Sequence, residues 1–514
     1  MSSRYALITV SDKTGIETLA CGLEKLGFTI LSTSNTARYL REHCSRVVEV
    51  SDITGFPEIL DGRVKTLHPF IHAGILADRD KPEHLQKLEE LAIERIDVVA
   101  VNLYPFHKTR TSPGATEAEI IENIDIGGPS LIRAAAKNHR HVLVLTDPAD
   151  YSEVLSQLGS ADKVTMELRK KLAQKAFSMT AEYDADIRSY FALSNSDEAE
   201  QLPSACTLYA PLQESLRYGE NPHQKAGLYL DTELGWKVVH GKELSYNNYL
   251  DIDSSFRALR LFTLPTVVIT KHCNPCGIGS AESLADAYRK ALAADIASPY
   301  GGIVAVNRTL DMSTAELINQ VFTEIIIAPG YEDGVLEYLQ KKQNRRLIVF
   351  EPCIALNPAS TWETRRLMRG CLMQEWDMVQ DNPETWKTVT QRIPSESELQ
   401  ALHFGWRVVS LLRSNAIALT GEDCVMGLGS GQTSRIDSSA LAIKKALHFG
   451  HDLSQAVCAS DGFFPFRDSI EELHKHGIRA VIQPGGSKGD PEVIAACDEF
   501  GIAMVFTGVR HFRH

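Results

Sequence analysis

The segment TVVITKHCNPCGIG, residues 266–279, decides how the second half of the chain folds and where one site lies. An apolar, β-branched run at its start predicts a buried strand, and Pro275 and Gly277 predict the loop that ends this strand. Lys271 and His272 stand where the strand meets the loop. Ligand sites in α/β proteins gather at strand ends, so this ammonium and imidazole predict a site for anion stabilisation and proton transfer. A solvated strand end is the alternative that the dipeptide alone leaves open.

The first roughly 150 residues alternate strand and helix patterns, which predicts a parallel sheet covered by helices. Apolar, β-branched runs mark the predicted strands, which are YALITV (5–10), FTILS (28–32), VVEV (47–50), IDVVAVNLY (96–104) and HVLVLT (141–146). Helical periodicity marks the predicted helices, which include TGIETLACGLEKLG (14–27), PEHLQKLEELAIE (82–94) and a long polar stretch (164–193).

A polar, unpatterned segment, NSDEAEQLPS (195–204), predicts the boundary between two domains, residues 1–195 and residues 205–514. The second domain is also mixed α and β, and a pair of smaller α/β units is plausible for it, although no strong internal repeat is visible. Its candidate strands are TVVIT (266–270), GGIVAVN (301–307), EIIIAP (324–329), RLIVF (346–350), AIALT (416–420), CVMGLG (424–429) and RAVIQ (479–483).

Composition excludes several classes of protein. The 514 residues carry 53 Lys and Arg against 66 Asp and Glu, a net charge of −13, whereas a nucleic-acid-binding protein is more often basic. No apolar run approaches the roughly 20 residues that cross a bilayer, and the N-terminus lacks the apolar core of a secretory signal. The 10 cysteines follow no framework pattern, which favours reduced thiols in a cytosol.

The segment SDKTG (11–15) follows the first predicted strand and opens the first predicted helix. Backbone N–H groups at a helix start face an anion, and Lys13 adds a positive charge. A capping box formed by Thr14 and Glu17 is the structural alternative, and the two interpretations are compatible.

The segment GRVKTLHP (62–69) is a loop bounded by glycine and proline. Arg63, Lys65 and Thr66 offer a guanidinium fork, a point charge and a hydroxyl, a set suited to phosphate. A charged surface loop is the alternative.

The segment IDIGGPS (124–130) precedes a helix that carries Arg133 and Lys137, four residues apart on one face. Like charges in this position repel unless an anion lies between them. Asp125 or a bound substrate are the two candidates for that anion.

The remaining motifs indicate less about a reaction. Cys273 and Cys276 form a C-x-x-C pair without the further ligands of a zinc site or a thioredoxin-like context. The turn GLGSGQ (427–432) departs from the dinucleotide fingerprint, so we reject a nicotinamide cofactor. The aromatics of DGFFPFRD (461–468) predict either core packing or a platform for a ring, and RHFRH (510–514) predicts either a frayed tail or an anion clamp.

Taken together, the motifs resemble one family, the bifunctional purine-biosynthesis enzymes that combine AICAR transformylase and IMP cyclohydrolase. The resemblance runs from residue 11 to residue 514 in the family's order. The matching segments are SDKTG, GRVKTLHP, NLYPF, IDIGGPSLIRAAAKN, LRYGENPHQ, KHCNPCG, SNAIAL, GSGQTSR, SDGFFPFRD, QPGGSKGD and RHFRH.

The resemblance implies a fold and two reactions. The fold is α/β, with an N-terminal doubly wound parallel sheet similar to methylglyoxal synthase and a C-terminal pair of units similar to cytidine deaminase, without its zinc. The reactions are formyl transfer from 10-formyltetrahydrofolate, a reduced folate, to AICAR, and ring closure of formyl-AICAR to IMP. The resemblance further implies no required metal, no nucleic-acid or membrane partner, a cytoplasmic location and a homodimer with transformylase sites shared between chains.

In the transformylase, the resemblance implies that Lys271 and His272 move protons or stabilise an oxyanion, and that Asn415 donates to that oxyanion. The substrate contacts it implies come from Arg217, Tyr218, His223, Asn248, Glu324, Phe463, Asp468, Arg510 and His514. In the cyclohydrolase, it implies that Lys65 and Tyr104 polarise the formyl oxygen, and that Asp125 and Lys137 move protons. The phosphate contacts it implies come from Ser11, Lys13, Thr14, Thr36, Arg63 and Thr66.

One departure from the family bears on function. The family has a glycine pair in its second phosphate loop, where this chain reads Ser32-Thr33-Ser34-Asn35-Thr36. A transformylase with an impaired cyclohydrolase is therefore the alternative function. A non-catalytic nucleotide-binding protein is a third, and the joint presence of Lys271, His272, Asp125 and Lys137 argues against it.

Overall fold

The structure, a computed structural model, describes residues 4–160, 164–194, 202, 205, 210–378 and 382–514. The chain divides into two compact units, Met1–Tyr209 and Ala210–His514, each with its own apolar core. Of the polar segment 195–204, which predicts the domain boundary, all but Leu202 lies outside the described residues. Within the described ranges, no helix is both long and apolar enough to cross a membrane.

The first unit is built on one five-stranded sheet in the order β3-β2-β1-β4-β5, with every neighbouring pair parallel. The strands are β1 (Arg4–Thr9), β2 (Phe28–Ser32), β3 (Val47–Glu49), β4 (Ile96–Val101) and β5 (Leu143–Leu145). All five correspond to predicted strands. β4 ends at Val101, so the last three residues of the predicted strand IDVVAVNLY lie outside it. Pro105 follows them and has no N–H to continue a ladder of hydrogen bonds.

Helices accompany this sheet, and their apolar faces share one core with it. They are α1 (Ile16–Lys25), α2 (Ser34–Arg41), α3 (Val50–Thr54), α4 (Pro69–Leu76), α5 (Pro82–Glu90), α6 (Phe106–Thr111), α7 (Glu117–Glu122), α8 (Gly127–Lys137), α9 (Tyr151–Gly159) and α10 (Met166–Ser194). The capping box predicted for Thr14 and Glu17 is absent from α1. The Thr14 amide and hydroxyl instead donate to Asp12 Oδ1, at 3.0 and 2.7 Å.

The second unit contains two six-stranded sheets, in the orders β10-β9-β11-β12-β13-β8 and β16-β21-β20-β19-β17-β18. The strands of the first are β8 (Trp236–His240), β9 (Thr266–Lys271), β10 (Asn274–Ser280), β11 (Gly302–Val306), β12 (Thr323–Ala328) and β13 (Arg346–Phe350). Those of the second are β16 (Lys387–Thr388), β17 (Ile417–Thr420), β18 (Val425–Gly429), β19 (Val457–Ser460), β20 (Ala480–Gln483) and β21 (Ala503–Phe506).

The helices of the second unit complete the two halves. They are α11 (Tyr246–Leu259), α12 (Leu284–Ala293), α13 (Met312–Asn319), α14 (Val335–Gln340), α15 (Pro352–Ala355), α16 (Glu396–Val409), α17 (Arg435–His448), α18 (Asp468–Lys475) and α19 (Asp490–Phe500). Two hairpins stand outside both sheets: β6 (Leu212–Leu216) with β7 (Ala226–Tyr229), and β14 (Trp362–Arg366) with β15 (Cys371–Glu375).

The two halves repeat one topology. From α11 to β13, and again from α16 to β21, the elements follow the order helix, strand, strand, helix, strand, helix, strand, helix, strand. Each sheet starts with two antiparallel pairings, at β10-β9-β11 in the first and β18-β17-β19 in the second. Two parallel pairings follow, and an antiparallel edge strand ends each sheet. The predicted pair of smaller α/β units is therefore present, as a repeat of topology.

The structure corrects the loop predicted at Pro275 and Gly277. Both lie in β10, which pairs antiparallel with β9 after a two-residue turn. β10 is an edge strand, where a proline without an N–H is tolerated. Gly277 lies against α12, and a Cβ there would be 1.9 Å from the Ala291 carbonyl oxygen. The glycine thus serves close helix packing.

Candidate active sites

The first candidate site lies at the carboxyl edge of the parallel sheet, where β1 separates β2 and β3 from β4 and β5. Such a change in strand order opens a crevice between neighbouring loops. Asn102, just after β4, joins the loop after β1. Its Oδ1 accepts the amides of Ser11 (2.6 Å) and Asp12 (3.1 Å), and its Nδ2 donates to the Asp12 carbonyl (2.8 Å). The loop that holds Ser11 and Thr14 is thereby fixed beside β4.

Two lysines face each other in this crevice. Lys13 Nζ donates to the Val10 carbonyl (2.5 Å) and to Thr36 Oγ1 (3.2 Å), and Lys65 Nζ donates to the Tyr104 hydroxyl (3.3 Å). Burial, followed by the charge of Lys65, lowers the pKa of the Lys13 ammonium. An anion between the two ammonium groups would relieve their repulsion, which suits the predicted phosphate site.

Asp125 lies just before α8, with its carboxylate against the start of the helix. Its Oδ1 accepts the Gly128 amide at 2.7 Å. A Cβ at Gly128 would lie 2.6 Å from Asp125 Oδ2, so the close approach requires glycine. Burial raises the pKa of the Asp125 carboxyl, and backbone hydrogen bonds and Lys65 offset this in part. The buried Thr66 adjoins the same turn, because a Cβ at Gly127 would lie 3.0 Å from Thr66 Oγ1.

The predicted phosphate contact Arg63 and Ser34 of the altered loop are both engaged by carboxylates. Arg63 forms an ion pair with Glu122, and both side chains are largely exposed. The Ser34 hydroxyl donates to Glu58, and Ser34 has φ of 27°, in the region that favours glycine. This is the loop in which the resemblance implies a glycine pair, and Ser34 adopts a glycine-like backbone conformation here.

The structure separates Lys137 from Asp125. Lys137 is the last residue of α8, whereas Asp125 precedes the first. Ten residues of α-helix place the two ends about 15 Å apart at 1.5 Å per residue. Of the two candidates for an anion between Arg133 and Lys137, Asp125 is disfavoured by its position before the first turn of α8, and a bound substrate remains.

The second candidate site begins at the turn between β9 and β10. His272 and Cys273 have φ of 54° and 58°, and Lys271 pairs with Asn274 across them, as expected for a two-residue hairpin of type I′. Asp251 on α11 accepts the Cys273 amide at 2.6 Å, and Ser254 donates to the Cys273 carbonyl at 3.1 Å. The turn presents an exposed His272 while α11 holds its backbone.

Lys271 ends β9 beside the start of β11, and its Nζ donates to the Tyr300 carbonyl at 2.8 Å. The starts of β12 and β13 lie at the same sheet edge, since β9 runs antiparallel to β11. Glu324 on β12 forms an ion pair with Arg346 (2.8 Å), and Asn248 Nδ2 lies 3.5 Å from the Glu324 carboxylate. The structure thus brings the predicted residues Lys271, Glu324 and Asn248 to one edge.

Hydrogen bonds to residues of the second repeat hold the Asn415 side chain. Its Nδ2 donates to the Gln432 carbonyl (3.0 Å), and its Oδ1 accepts from Arg435 (3.1 Å). Arg435 forms a buried ion pair with Asp461, which also accepts the Ala416 amide at 3.1 Å. A primary amide carries two N–H groups, so one remains for a substrate oxygen.

The C-terminal residues pack against this network. His511 is buried, with Nδ1 2.7 Å from Asp377, and Ser414 donates to the Arg513 carbonyl at 2.8 Å. Arg510 is exposed and lies 4.6 Å from the Phe512 ring centre. A Cβ at Gly462 would touch Phe512, so the tail adjoins the loop that bears the half-exposed Phe463. The tail is held in place and leaves Arg510 and His514 facing outward.

Three predicted binding residues lie on a hairpin outside the two six-stranded sheets. Arg217, Tyr218 and His223 belong to the loop between β6 and β7, which Gln224 closes by accepting the Asn221 amide at 2.9 Å. Asp468 is the first residue of α18 and is exposed.

The cysteine pair is poorly suited to thiolate chemistry. Burial, reinforced by Asp251, raises the pKa of Cys273 to about 11, and burial raises the pKa of Cys276 to about 11. Both thiols are therefore protonated near neutral pH. The charges of Arg513 and Arg413 act on Cys273 in the opposite direction, which places the turn near the segment before Asn415.

Comparison with known proteins identifies the family. Residues 15–130 match the MGS-like domain, and residues 135–445 match the family described as the AICARFT/IMPCHase bienzyme. The chain belongs to the AICARFT/IMPCHase bienzyme family.

Similar proteins extend over the full length. The bifunctional purine biosynthesis protein PurH of Persephonella marina is 47% identical over 519 residues, covering 99% of this chain and 100% of that protein. PurH of Chloroflexus aurantiacus is 50% identical over 512 residues, covering 99% and 98%. The crystal structure of ForH matches 38% of this chain and 99% of its own at 40% identity, with a TM-score of 0.35.

As a member of the AICARFT/IMPCHase bienzymes, the chain is a bifunctional enzyme of purine biosynthesis. It formylates AICAR, which implies a folate formyl donor, and closes the product to IMP. The matches include the MGS-like domain as well as the transformylase, so the alternative of a transformylase alone gains no support.

The structure adds residues that the sequence did not single out. Asp251 and Ser254 hold the His272 turn, and Asn102 holds the Ser11 loop. Asn102 begins the recognised NLYPF segment, so its place after a strand was a usable signal. No comparable signal marks Asp251, since it lies on a helix 21 residues before His272.

Proposed function

We propose that formyl transfer from 10-formyltetrahydrofolate takes place in the second domain, residues 205–514, and ring closure in the first, residues 1–195. The observation that carries this proposal is the pair of separate constellations: Lys271 and His272 at a rigid turn in one unit, and Lys65 with Asp125 in the other. Each constellation has a proton acceptor beside an ammonium, which both reactions require.

In formyl transfer, the 5-amino nitrogen of AICAR attacks the formyl carbon and gives up a proton to His272. An aromatic amine is a weak nucleophile, so proton removal during attack is needed. The carbonyl oxygen becomes an oxyanion, which the free N–H of Asn415 and the Lys271 ammonium stabilise. Lys271 Nζ has three N–H groups and the Tyr300 carbonyl accepts one, so two remain. Collapse expels the folate N10, which takes a proton as it leaves.

The proposed substrate contacts surround this centre. Arg217, Arg510 and His514 supply positive or donor groups for the nucleotide phosphate, with Tyr218 and His223 beside them. Phe463 offers a half-exposed face for a ring, and Asp468 accepts from folate N–H groups. Glu324 and Asn248 bind polar nucleotide atoms at the edge that holds Lys271.

In ring closure, the carboxamide nitrogen of formyl-AICAR attacks the formyl carbon of the same molecule, and water leaves. Holding the reactive conformer supplies much of the acceleration, because the reacting atoms are already linked. Asp125 accepts the nitrogen proton, and Lys65 and Tyr104 donate toward the formyl oxygen. The resemblance also assigns proton handling to Lys137, which lies in the last turn of α8, whereas Asp125 precedes the first residue of that helix.

The nucleotide phosphate in the first domain is assigned to the crevice between Lys13 and Lys65. Ser11, Thr14, Thr36 and Thr66 add hydroxyl donors around it. Arg63 reaches the phosphate after leaving Glu122, an exchange that costs little because exposed ion pairs are worth about 0–1 kcal/mol.

We further propose a cytoplasmic homodimer without nucleic-acid or membrane partners. The hairpin β14–β15 supports the dimer, because a two-stranded hairpin is marginal alone and this one exposes Leu367, Met368 and Leu372. Met368, at 104% relative exposure, is the most exposed large apolar side chain of the described part of the chain.

Met368→Asp should shift sedimentation toward monomer and reduce formyl transfer, while Leu399→Asp on α16 should do neither. A fully active wild-type monomer would refute the shared-site dimer.

The decisive assay measures the two half-reactions separately, AICAR with 10-formyltetrahydrofolate in one and formyl-AICAR alone in the other. Both should turn over, and both rates should survive a metal chelator, since every proposed step uses side chains. Loss of either rate on chelation would contradict the metal-free proposal. Failure to close formyl-AICAR would contradict the proposed ring closure.

A further inference from the structure

A tyrosine on α10 supports the connection that carries Asp125. This connection spans residues 123–126, between the end of α7 and the start of α8. The Tyr183 hydroxyl donates to the Asn123 carbonyl and accepts the Asp125 amide, both at 2.8 Å. One hydroxyl therefore bridges two main-chain groups, and one of these groups belongs to Asp125 itself.

The Asp125 side chain is held by other contacts. Its carboxylate accepts the Gly128 amide at 2.7 Å and further backbone hydrogen bonds from Gly127 and Tyr104. Those bonds join the carboxylate to the start of α8 and to the segment that follows β4. The Asp125 amide donates to Tyr183 instead, so the main chain and the side chain of Asp125 have separate supports.

The same face of α10 holds a second segment of the ring-closing site. Phe106, in the segment NLYPF, packs edge-on against Tyr183 and Tyr190, with ring centres 6.1 and 5.9 Å apart. Asp186 forms an ion pair with Arg110 at 2.6 Å. Positions 183, 186 and 190 are three and four residues apart, so they share one helix face. This face of α10 therefore supports both segments that bear proposed ring-closing residues.

The Tyr183 hydroxyl has the chemistry that this role needs. Burial raises the pKa of Tyr183 to about 12, so the group keeps its proton near neutral pH. A protonated phenol can donate one hydrogen bond and accept another, and here it does both. Satisfying a buried hydroxyl requires only one partner, such as the Asn123 carbonyl. The second bond, from the Asp125 amide, links this hydroxyl to the site.

We propose that Tyr183 is a positioning residue for ring closure, which holds the main chain of Asp125 so that its carboxylate faces the reacting nitrogen. This inference rests on the proposed function of Asp125 as the proton acceptor. The hydroxyl acts through Asp125 and does not itself transfer a proton. Its loss should slow the chemical step and leave nucleotide binding intact, because the phosphate is assigned to the crevice between Lys13 and Lys65.

Tyr183→Phe in the full-length enzyme removes the hydroxyl and keeps the ring that packs on Phe106. The kcat for closure of formyl-AICAR should fall about tenfold, as expected for the loss of buried hydrogen bonds, while KM stays within about twofold. Tyr39→Phe is the matched control, because Tyr39 is also a half-buried tyrosine of the first unit and its hydroxyl lies 3.3 Å from Glu17. The control should change neither constant, and formyl transfer should be unchanged in both variants.

Hydrogen exchange gives a readout that does not depend on turnover. Peptides that cover residues 123–128 should exchange faster in Tyr183→Phe, because the Asp125 amide loses its acceptor. Peptides from α5, and the same region in Tyr39→Phe, should exchange as in wild type. Each kcat would be normalised to the stoichiometry of IMP binding, so that an unfolded fraction does not count as a slower reaction. Unchanged exchange over residues 123–128, or a normalised kcat within about twofold of wild type, would overturn the positioning role.

Asp125→Asn, assayed alongside, separates this inference from the proposed function. An inactive Asp125→Asn enzyme together with an unimpaired Tyr183→Phe enzyme would overturn the positioning role alone. Closure at the wild-type rate by Asp125→Asn would overturn the proposed proton acceptor and, with it, the inference. A raised KM with unchanged kcat in Tyr183→Phe would show that Tyr183 acts on binding, which would also overturn the positioning of Asp125.

Discussion

The turn that carries His272 depends on Asp251, and its removal gives the sharpest test of the transformylase site. His272 and Cys273 both adopt positive φ, 54° and 58°. The left-handed region costs a non-glycine residue about 1–2 kcal/mol, so the turn carries about 2–4 kcal/mol of unfavourable backbone energy. Asp251 opposes this cost through its 2.6 Å hydrogen bond to the Cys273 amide.

A hydrogen bond to a charged group contributes about 1.5–3 kcal/mol. Asp251→Ala removes an amount comparable to the cost of the turn, so the turn should relax and His272 should leave its position. At 1.36 kcal/mol per factor of ten, formyl transfer should fall about 10- to 150-fold. Asp251→Asn keeps a neutral acceptor and should lose less. Ring closure should be unchanged in both variants, because it belongs to the other unit.

Rescue separates positioning from a general structural defect. Glycine adopts positive φ without the steric cost, so Cys273→Gly should restore much of the transfer rate in the Asp251→Ala background. Both half-reactions and the unfolding temperature would be measured for the single and double variants. Transfer within about twofold of wild type in Asp251→Ala, where 1.4 kcal/mol is a factor of ten, would refute the reasoning. So would an equal loss of both activities.

Four other outcomes are expected. His272→Ala should lower formyl transfer by about 10²–10⁴-fold and spare ring closure, and equal loss of both in separate assays would refute two sites. Burial raises the Asp125 pKa, so ring closure should fall with a midpoint above the ordinary value of 3.8 as pH decreases. Because the folded-state pKa is raised, ionising Asp125 lowers the unfolding free energy as pH rises from 3.8 toward that pKa. Asp125→Asn removes this ionisation, so it should abolish closure without loss of unfolding free energy at neutral pH. Ser34→Gly removes the hydroxyl that holds Glu58 and should lower KM for formyl-AICAR with kcat unchanged; a raised KM would instead make Ser34 a phosphate donor. Residues 1–195 should fold alone and close formyl-AICAR, since their core is self-contained, and an inactive fragment would count against this boundary.

Local patterns predicted much of the fold because most strands of the three large sheets are apolar runs rich in β-branched residues. RLIVF (346–350) coincides with β13 to the residue. The error at NPCG arose where local turn signals competed with tertiary packing. Proline and glycine ordinarily end a strand. Here the edge position of β10 tolerates Pro275, and close packing of α12 requires Gly277.

The sequence suggested a pair of units in the second domain but showed no internal repeat, because the two halves share topology and few residues. The turn after β9 is two residues long and bears His272, whereas the corresponding turn between β17 and β18 spans residues 421–424 and bears no histidine. Sequence comparison detects shared residues, and here the shared property is the order and direction of strands. One repeat carries the turn proposed to be catalytic, and the other carries Asn415.

Some site residues could be placed from local sequence pattern, and others could not. Lys271 and His272 stand in a motif at a strand end, so their position followed from local pattern. The spacing of Arg133 and Lys137 fixes which helix face they share, but their distance from Asp125 depends on where the helix begins. α8 begins at Gly127, after Asp125, and this sets the two side chains at opposite ends.

The altered phosphate loop illustrates how magnitudes decide between the two functions that the sequence left open. Ser34 supplies the backbone conformation of glycine at a cost of about 1–2 kcal/mol, which is already met in the folded protein. The carboxylates of Glu58 and Glu122 occupy hydrogen bonds that a phosphate would take, but exposed pairs of this kind contribute only about 0–1 kcal/mol each. Lys13 and Lys65 act in the opposite direction, because an anion between them ends their mutual repulsion and the burial that lowers the Lys13 pKa strengthens the attraction. We therefore propose that the chain keeps a phosphate site between Lys13 and Lys65 without the glycine pair, in agreement with its membership of a bifunctional family.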